Sequence, residues 1–164
     1  MDLNFKSNSK YLSEVAIIAS IYVILTVGLS WLSYGQIQFR VAEALLVLAL
    51  YRKSGIAGLI LGCFIANIFS PIGWPDILFG TLGSTFAVYG IYRLRAQNIF
   101  IALIPGVIFN ALLVALELKL FFNLPYFLSA AYIGIGQTIV IYALGIPLYY
   151  TLKKIKFKND YENV

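Results

Sequence analysis

The sequence has few of the residues on which soluble enzymes depend. Histidine is absent, cysteine occurs once, at Cys63, and charged residues make up 12% of the 164 positions. Without histidine the commonest metal ligand and general base are missing, and Ser-His-Asp and Cys-His catalytic arrangements are excluded. A single cysteine excludes an intramolecular disulfide. Soluble domains average about a quarter charged residues, so this chain has too few charges to cover a surface that faces water.

Apolar residues dominate what remains. They make up 61% of the chain, and its mean hydropathy is +0.87. The pI is about 9.3, but the lysines and arginines stand in short clusters between apolar runs, a placement typical of membrane topology rather than of a phosphate-binding face. The composition excludes an ordinary cytosolic enzyme, a disordered protein and a nucleic-acid-binding domain, and it predicts an integral membrane protein.

Six apolar segments approach the length of a membrane helix, about 20 residues. Short connections join them, so we expect one compact all-α bundle of six transmembrane helices over residues 1–164. The second segment is the weakest, because its apolar part, Val41–Tyr51, would rise only about 16 Å as an α-helix. It either extends back through Arg40 or does not fully cross. The predicted helices cover approximately residues 11–33, 37–51, 55–69, 77–92, 99–121 and 126–152.

Basic residues set the expected orientation, because cytoplasmic loops carry an excess of lysine and arginine. With six crossings and the N-terminus inside, only Arg40 and Lys119 fall outside or in the outer part of the membrane. Both termini are therefore expected in the cytoplasm. The other basic residues lie on the inner side: Lys6, Lys10, Arg52, Lys53, Arg93, Arg95, Lys153, Lys154, Lys156 and Lys158.

Almost every non-terminal acidic or amide side chain lies in the outer half of this arrangement, whereas the inner half is nearly all apolar apart from Glu14. Polar groups in hydrocarbon are costly, so each is a functional hypothesis. A channel needs a polar lining along its whole length. This pattern instead predicts a polar cavity that opens outward and captures a small solute. The polar candidates are Gln36, Gln38, Arg40, Glu43, Asn67, Asp76, Asn110, Glu117 and Gln137.

The chemistry of these residues favours a nitrogen-rich ligand. Asn110 and Glu117 are seven residues apart and share one helix face, and Arg40 and Glu43 are three apart. Carboxylates accept hydrogen bonds from N–H groups, and amides both donate and accept. Such a set suits a planar heterocycle better than a sugar or a lipid. Trp74 falls in an interfacial aromatic belt and is a candidate to stack on a bound base.

Each candidate also has a structural interpretation, which the sequence leaves open. Arg40 and Glu43 would satisfy each other as an ion pair, since a lone buried charge is costly. Asn67 and Asn110 would serve as interhelical hydrogen bonds. Asp76 follows a proline at a predicted helix start, where a carboxylate complements the helix dipole.

Small residues at four-residue spacing let membrane helices approach closely. In the third segment Gly58, Gly62 and Ala66 have this spacing, and packing inside the bundle is the expected role. In the first segment a contact with a partner protein is expected. The chain has no GxxxxGK[ST] phosphate loop, so active transport would draw its energy from another subunit or an ion gradient. The first-segment residues are Ala16, Ala19 and Ser20.

Four stretches resemble one family, and the resemblance extends over nearly the whole chain. The chain resembles QueT-type membrane proteins, which are substrate-binding S components of energy-coupling factor (ECF) transporters. The stretches run from Gly35 to Leu45 (GQIQFRVAEAL), Gly62 to Pro71 (GCFIANIFSP), Ile108 to Leu112 (IFNAL) and Tyr142 to Leu148 (YALGIPL).

This resemblance implies a multi-pass protein of the bacterial plasma membrane that captures a queuosine precursor, a 7-deazaguanine such as queuine or preQ1. It implies a transmembrane coupling subunit and two ATPases as partners, with the coupling subunit on the small face of the first helix. No cofactor and no metal is expected. The resemblance implies a glutamate where this chain has Gln137, so either Glu43 or Glu117 accepts from the guanine-like edge or the preferred solute differs from the family's. The residues at family motif positions are Arg40, Glu43, Asn67, Asn110 and Glu117.

Two other functions compete with this expectation. A secondary transporter acting alone would need a coupling-ion site, and inverted repeats are common in such folds; the sequence displays neither. An S component for another nitrogen heterocycle or vitamin is the other alternative. An intramembrane aspartyl protease would need two facing aspartates, and Asp76 is the only aspartate within the membrane region.

Overall fold

A computed structural model describes residues 3–34 and 38–155, with side chains from residue 8 onward. Every element in this part of the chain is helical, which confirms the all-α prediction. The predicted start of the second segment at Ile37, and the residues Gln36, Lys156 and Lys158, lie outside it. The elements are α1 (Leu3–Gly28), α2 (Ser30–Ser33), a 3₁₀ helix (Val41–Leu50), α3 (Lys53–Ile68), α4 (Trp74–Arg93), α5 (Ile99–Ala102), α6 (Ile104–Phe122), α7 (Tyr126–Val140), a π-helical turn (Ile141–Gly145) and α8 (Ile146–Lys154).

Three helical stretches within these ranges are long and apolar enough to cross a membrane. They are Asn8–Gly28, Ile99–Phe122 and Tyr126–Lys154. The 3₁₀ helix and α3 are apolar but shorter. Each of the six predicted segments contains a helix, and the count of six crossings stays a prediction.

Several predicted boundaries are wrong. α1 begins at Leu3, before the predicted start at residue 11, and ends at Gly28. The fifth segment is divided at Leu103, just before Pro105 in the first turn of α6. The sixth contains the π-helical turn, just before Pro147. Proline lacks the N–H that continues a helix ladder and its ring clashes with the preceding turn, which accounts for both interruptions.

The second segment is a 3₁₀ helix, and the prediction of an α-helix there is wrong. It begins at Val41, after Arg40 in an extended conformation. A 3₁₀ helix rises about 2.0 Å per residue, so ten residues reach about 20 Å, whereas an α-helix of that length would reach about 15 Å. The stretched geometry therefore gives this short segment greater reach.

Glycines in α3 bring it against α1. A Cβ atom on Gly62 would lie 2.8 Å from the Tyr22 Cβ and 3.0 Å from the Ala19 Cα, and one on Gly58 would lie 2.8 Å from the Ile18 Cβ. Only glycine permits this approach, so the predicted packing role of the small residues is confirmed. The remaining bundle pairs α3 with α4, α4 with α6, and α6 with α7 around the central 3₁₀ helix.

The core divides into an apolar part and a polar part. The main apolar core includes Leu46, Val47 and Leu59 and extends to Leu103 and Ile141. Most of the buried polar side chains collect where α3 ends, α4 begins and the 3₁₀ helix begins. The predicted separation of a polar end from an apolar remainder is thus present in the fold.

Candidate functional site

Seven of the predicted ligand-binding residues are buried polar side chains at this end of the bundle. Each exposes at most 4% of its surface. They come from the 3₁₀ helix and the residue before it, α3, α4, α6 and α7, so the fold assembles them from five parts of the chain. They are Arg40, Glu43, Asn67, Asp76, Asn110, Glu117 and Gln137.

Asn67 and Asp76 meet over a glycine of α4. A Cβ atom on Gly80 would lie 2.7 Å from both the Asn67 Nδ2 and the Asp76 Oδ1. The missing side chain therefore provides the space that these two polar groups occupy. The Asn67 amide nitrogen also lies 3.4 Å from the Thr81 hydroxyl, so it links α3 to α4. The interhelical role considered for Asn67 is confirmed.

Arg40 pairs with Asp76 rather than with Glu43. Its Nη2 lies 3.7 Å from the Asp76 Oδ2, within ion-pairing range and too far for a hydrogen bond. Its Nη1 lies 3.7 Å from the Cys63 Sγ, and its guanidinium lies 5.6 Å from the centre of the Tyr34 ring, a cation–π distance. The alternative of a mutual Arg40–Glu43 ion pair is therefore wrong.

Glu43 is fully engaged by the protein. The Tyr22 hydroxyl donates to its Oε1 at 2.5 Å, and the Asn110 amide donates to its Oε2 at 3.0 Å. These bonds join α1 and α6 to the 3₁₀ helix. A Cβ atom on Gly83 would lie 2.9 Å from the Asn110 Oδ1, so a second α4 glycine makes room for the arrangement. Glu43 therefore links three helices through its hydrogen bonds.

Glu117 and Gln137 are buried without such partners. Both carboxylate oxygens of Glu117 and the Gln137 Oε1 have no hydrogen-bond donor among the described residues. Glu117 is 0% exposed, and the charged groups that interact with it are Asp76 and Arg40. Glu117 lies two helical turns beyond Asn110 on α6, as its spacing predicts.

The cluster as a whole has an excess of unpaired acceptors. Buried polar groups in proteins are almost always hydrogen-bonded, and a buried acceptor without a donor costs about 1–3 kcal/mol. The arrangement therefore suits a ligand rich in N–H groups. Among the seven residues of the cluster, the buried acceptors without a hydrogen bond are Asn67 Oδ1, Asp76 Oδ1 and Oδ2, Glu117 Oε1 and Oε2, and Gln137 Oε1, and the buried donors without one are Arg40 Nε and Nη2.

Trp74 and the first-helix residues lie elsewhere. Trp74, two residues before Asp76, is 62% exposed. Its ring meets the Phe121 ring edge-on, with the ring centres 5.0 Å apart. It therefore lies at the edge of the polar end rather than within it. Ala16, Ala19 and Ser20 together line a surface groove of about 450 Å³. Ala19 is buried against α3, and the other two are exposed.

Sequence reasoning missed the groups that support the site. Cys63 lies 3.0 Å from the Ser84 hydroxyl and 3.4 Å from the Asn67 amide nitrogen. Its position four residues before Asn67 places both on one helix face and was a usable signal. Tyr22 had no such signal, because a tyrosine within an apolar helix reveals its partner only in the fold.

Comparisons with known proteins agree on one family. The sequence model of the family described as QueT transporter matches residues 12–154. The chain is also similar to the Queuosine precursor transporter QueT of Lactococcus lactis subsp. cremoris (strain MG1363), with 32% identity over 148 residues that cover 80% of this chain and 86% of the relative. No solved structure matches this chain.

Proposed function

Because this chain belongs to the QueT transporter family, we propose that it binds a queuosine precursor, a 7-deazaguanine, in the buried polar cluster. It is the substrate-capture component of an ECF importer of the bacterial plasma membrane. It takes the solute from outside and delivers it inward. The chain crosses the membrane six times with both termini in the cytoplasm, and the polar end faces outward.

The observation that carries this proposal is the set of unpaired acceptors. The guanine-like part of a 7-deazaguanine presents two ring N–H groups and an exocyclic amine as donors, and one carbonyl oxygen and one ring nitrogen as acceptors. The cluster offers six unpaired acceptor atoms and two unpaired donor atoms on one arginine. A ligand with many N–H groups and one carbonyl therefore satisfies groups that the protein itself leaves unpaired.

The adjacency of Arg40 and Asp76 matches the adjacency on the ligand. In a guanine-like ring the carbonyl stands beside a ring N–H, which in turn stands beside the exocyclic amine. We assign the carbonyl to Arg40 and the neighbouring donors to Asp76, with Asn67 beside it. Charged hydrogen bonds of this kind contribute about 1.5–3 kcal/mol each. Glu43 then serves as a positioning residue, since both of its oxygens already accept hydrogen bonds.

Helix interruptions also support a transport role. Discontinuous helices are typical of transporter binding sites, and 3₁₀ and π segments within helices often mark functional positions. Here the 3₁₀ helix contains Glu43, and the π-helical turn begins four residues after Gln137.

The surface groove that Ala16, Ala19 and Ser20 help to line is the proposed contact for the coupling subunit, which works with two ATPases.

Equilibrium binding to the purified chain in detergent tests the proposal. Tryptophan fluorescence is suitable because Trp74 begins the helix that contains Asp76. Queuine and preQ1 are titrated against guanine, riboflavin and biotin. Saturable binding of a deazaguanine, with the controls inactive, supports the proposed function. Absence of binding by both deazaguanines refutes the substrate class.

A transport assay separates the capture role from independent transport. Liposomes that contain this chain alone should accumulate no deazaguanine, because an ECF component depends on its coupling subunit and ATPases. Concentrative uptake by the chain alone would contradict the ECF role and favour a secondary transporter.

A further inference from the structure

The three carboxylates of the polar cluster differ in how the protein compensates them. Glu43 accepts two hydrogen bonds, from Tyr22 and Asn110. Asp76 stands in the first turn of α4, where the helix dipole favours an anion, and has the Arg40 guanidinium 3.7 Å away. Two of the three carboxyl groups therefore have a partner within the fold.

Glu117 has none of these forms of compensation. It is fully buried, and neither of its oxygens has a hydrogen-bond donor among the described residues. It lies in the C-terminal half of α6 and therefore does not benefit from the dipole at a helix N-terminus. Arg40, the cation that interacts electrostatically with Glu117, is already paired with Asp76. An isolated buried carboxylate is costly unless it is paired and hydrogen-bonded.

We infer that Glu117 is the counter-ion of a positively charged group on the ligand, so that the site selects a heterocycle bearing an aliphatic ammonium group over its neutral analogue. This inference rests on the proposed function and narrows it. Among 7-deazaguanines, it favours forms with an amine on the substituent at position 7. An ammonium group supplies both the missing charge and the missing N–H donors to the two Glu117 oxygens.

The charge balance of the cluster agrees with this assignment. Three carboxyl groups and one guanidinium leave more acidic than basic groups in a region that exposes almost none of its surface. A cationic ligand reduces that excess, whereas a neutral ligand leaves it unchanged. A neutral heterocycle would satisfy Asp76 and Arg40 and still leave Glu117 as a buried carboxyl group without a hydrogen-bond donor.

Two ligands of nearly equal size test the inference. The 7-aminomethyl and 7-cyano derivatives of 7-deazaguanine differ by an ammonium-bearing carbon in place of a neutral nitrile, with the same number of heavy atoms. Buried charge pairs couple by about 1.5 kcal/mol or more, which corresponds to about tenfold in affinity. The wild-type chain should therefore bind the aminomethyl ligand at least about tenfold more tightly.

The Glu117→Gln variant should lose this preference, with the two dissociation constants falling within about threefold of each other. Asp76→Asn is the matched control, since it removes a carboxylate that already has a cation. It should weaken both ligands in parallel and keep the preference.

The outcomes separate the inference from the proposed function. Equal binding of both ligands by the wild-type chain overturns the role of Glu117 and leaves deazaguanine capture intact. A preference that survives Glu117→Gln and disappears in Asp76→Asn also overturns it. Failure of both ligands to bind the folded wild-type chain refutes the proposed function and the inference together.

Discussion

Replacing Gly80 by alanine should abolish most ligand binding while leaving the bundle folded. The new Cβ would lie 2.7 Å from the Asn67 Nδ2 and the Asp76 Oδ1, closer than real Cβ contacts permit. Because both atoms are at the ends of their side chains, we expect the Asn67 and Asp76 side chains to rotate away and the helices to stay in place. The variant thus displaces the proposed ligand contacts without altering any of them chemically.

The expected magnitudes decide between loss of folding and loss of binding. Overpacking typically costs about 1–3 kcal/mol, and alanine in place of glycine within a helix returns about 1 kcal/mol. The net cost is then about 0–2 kcal/mol of stability. Loss of a hydrogen bond to a charged group costs about 1.5–3 kcal/mol of binding energy, which corresponds to a dissociation constant about 10- to 150-fold higher.

Binding and thermal unfolding are measured on the same preparation in the same detergent. Gly134→Ala is the matched control, because its Cβ would meet only the Ala111 Cβ, at an ordinary 3.7 Å. It should keep the wild-type dissociation constant and an equal or slightly higher unfolding temperature. If Gly80→Ala remains folded and binds as tightly as the wild type, the pair over Gly80 is not part of the binding site.

Three further variants test the supports of the site. Tyr22→Phe removes the hydrogen-bond donor to the Glu43 Oε1. Because the Glu43 oxygen is then buried without a donor, we expect a loss of about 1–3 kcal/mol in binding free energy, measured as weaker binding in fluorescence titrations. An unchanged affinity would contradict the positioning role of Glu43. Gly62→Ala forces α1 from α3 through contacts with atoms close to the backbone and should cost about 1–3 kcal/mol, lowering the thermal unfolding temperature; an unchanged temperature would disprove the close packing. Glu14→Gln breaks a partly exposed 2.9 Å ion pair with Arg52 and should lower the free energy of unfolding by at most about 1 kcal/mol. We expect no change in ligand affinity, and a changed affinity would contradict the placement of Glu14 outside the polar cluster.

The residues of the site could be predicted from the sequence because burial of polar groups in an apolar chain is costly. Asn67, Asp76 and Glu117 stand out against their apolar neighbours, and all three are buried at the polar end. The seven-residue spacing of Asn110 and Glu117 also placed them correctly on one side of α6.

The pairing among those residues could not be predicted in the same way. Arg40 and Glu43 are three residues apart, and helical spacing favoured a mutual pair, but the extended backbone at Arg40 directs it to Asp76. The partners of Glu43, from α1 and α6, are set by helix packing. The 3₁₀ geometry was hidden for a related reason, since hydropathy reports burial and length but not the rise per residue.

A structure determined with the 7-aminomethyl derivative bound would show directly which residues contact the ligand. We expect the ring among Arg40, Asp76 and Asn67, with the ammonium nitrogen within about 3 Å of the Glu117 carboxylate. A ligand bound elsewhere, such as in the groove beside α1, with the Glu117 oxygens still unpaired, would contradict this expectation.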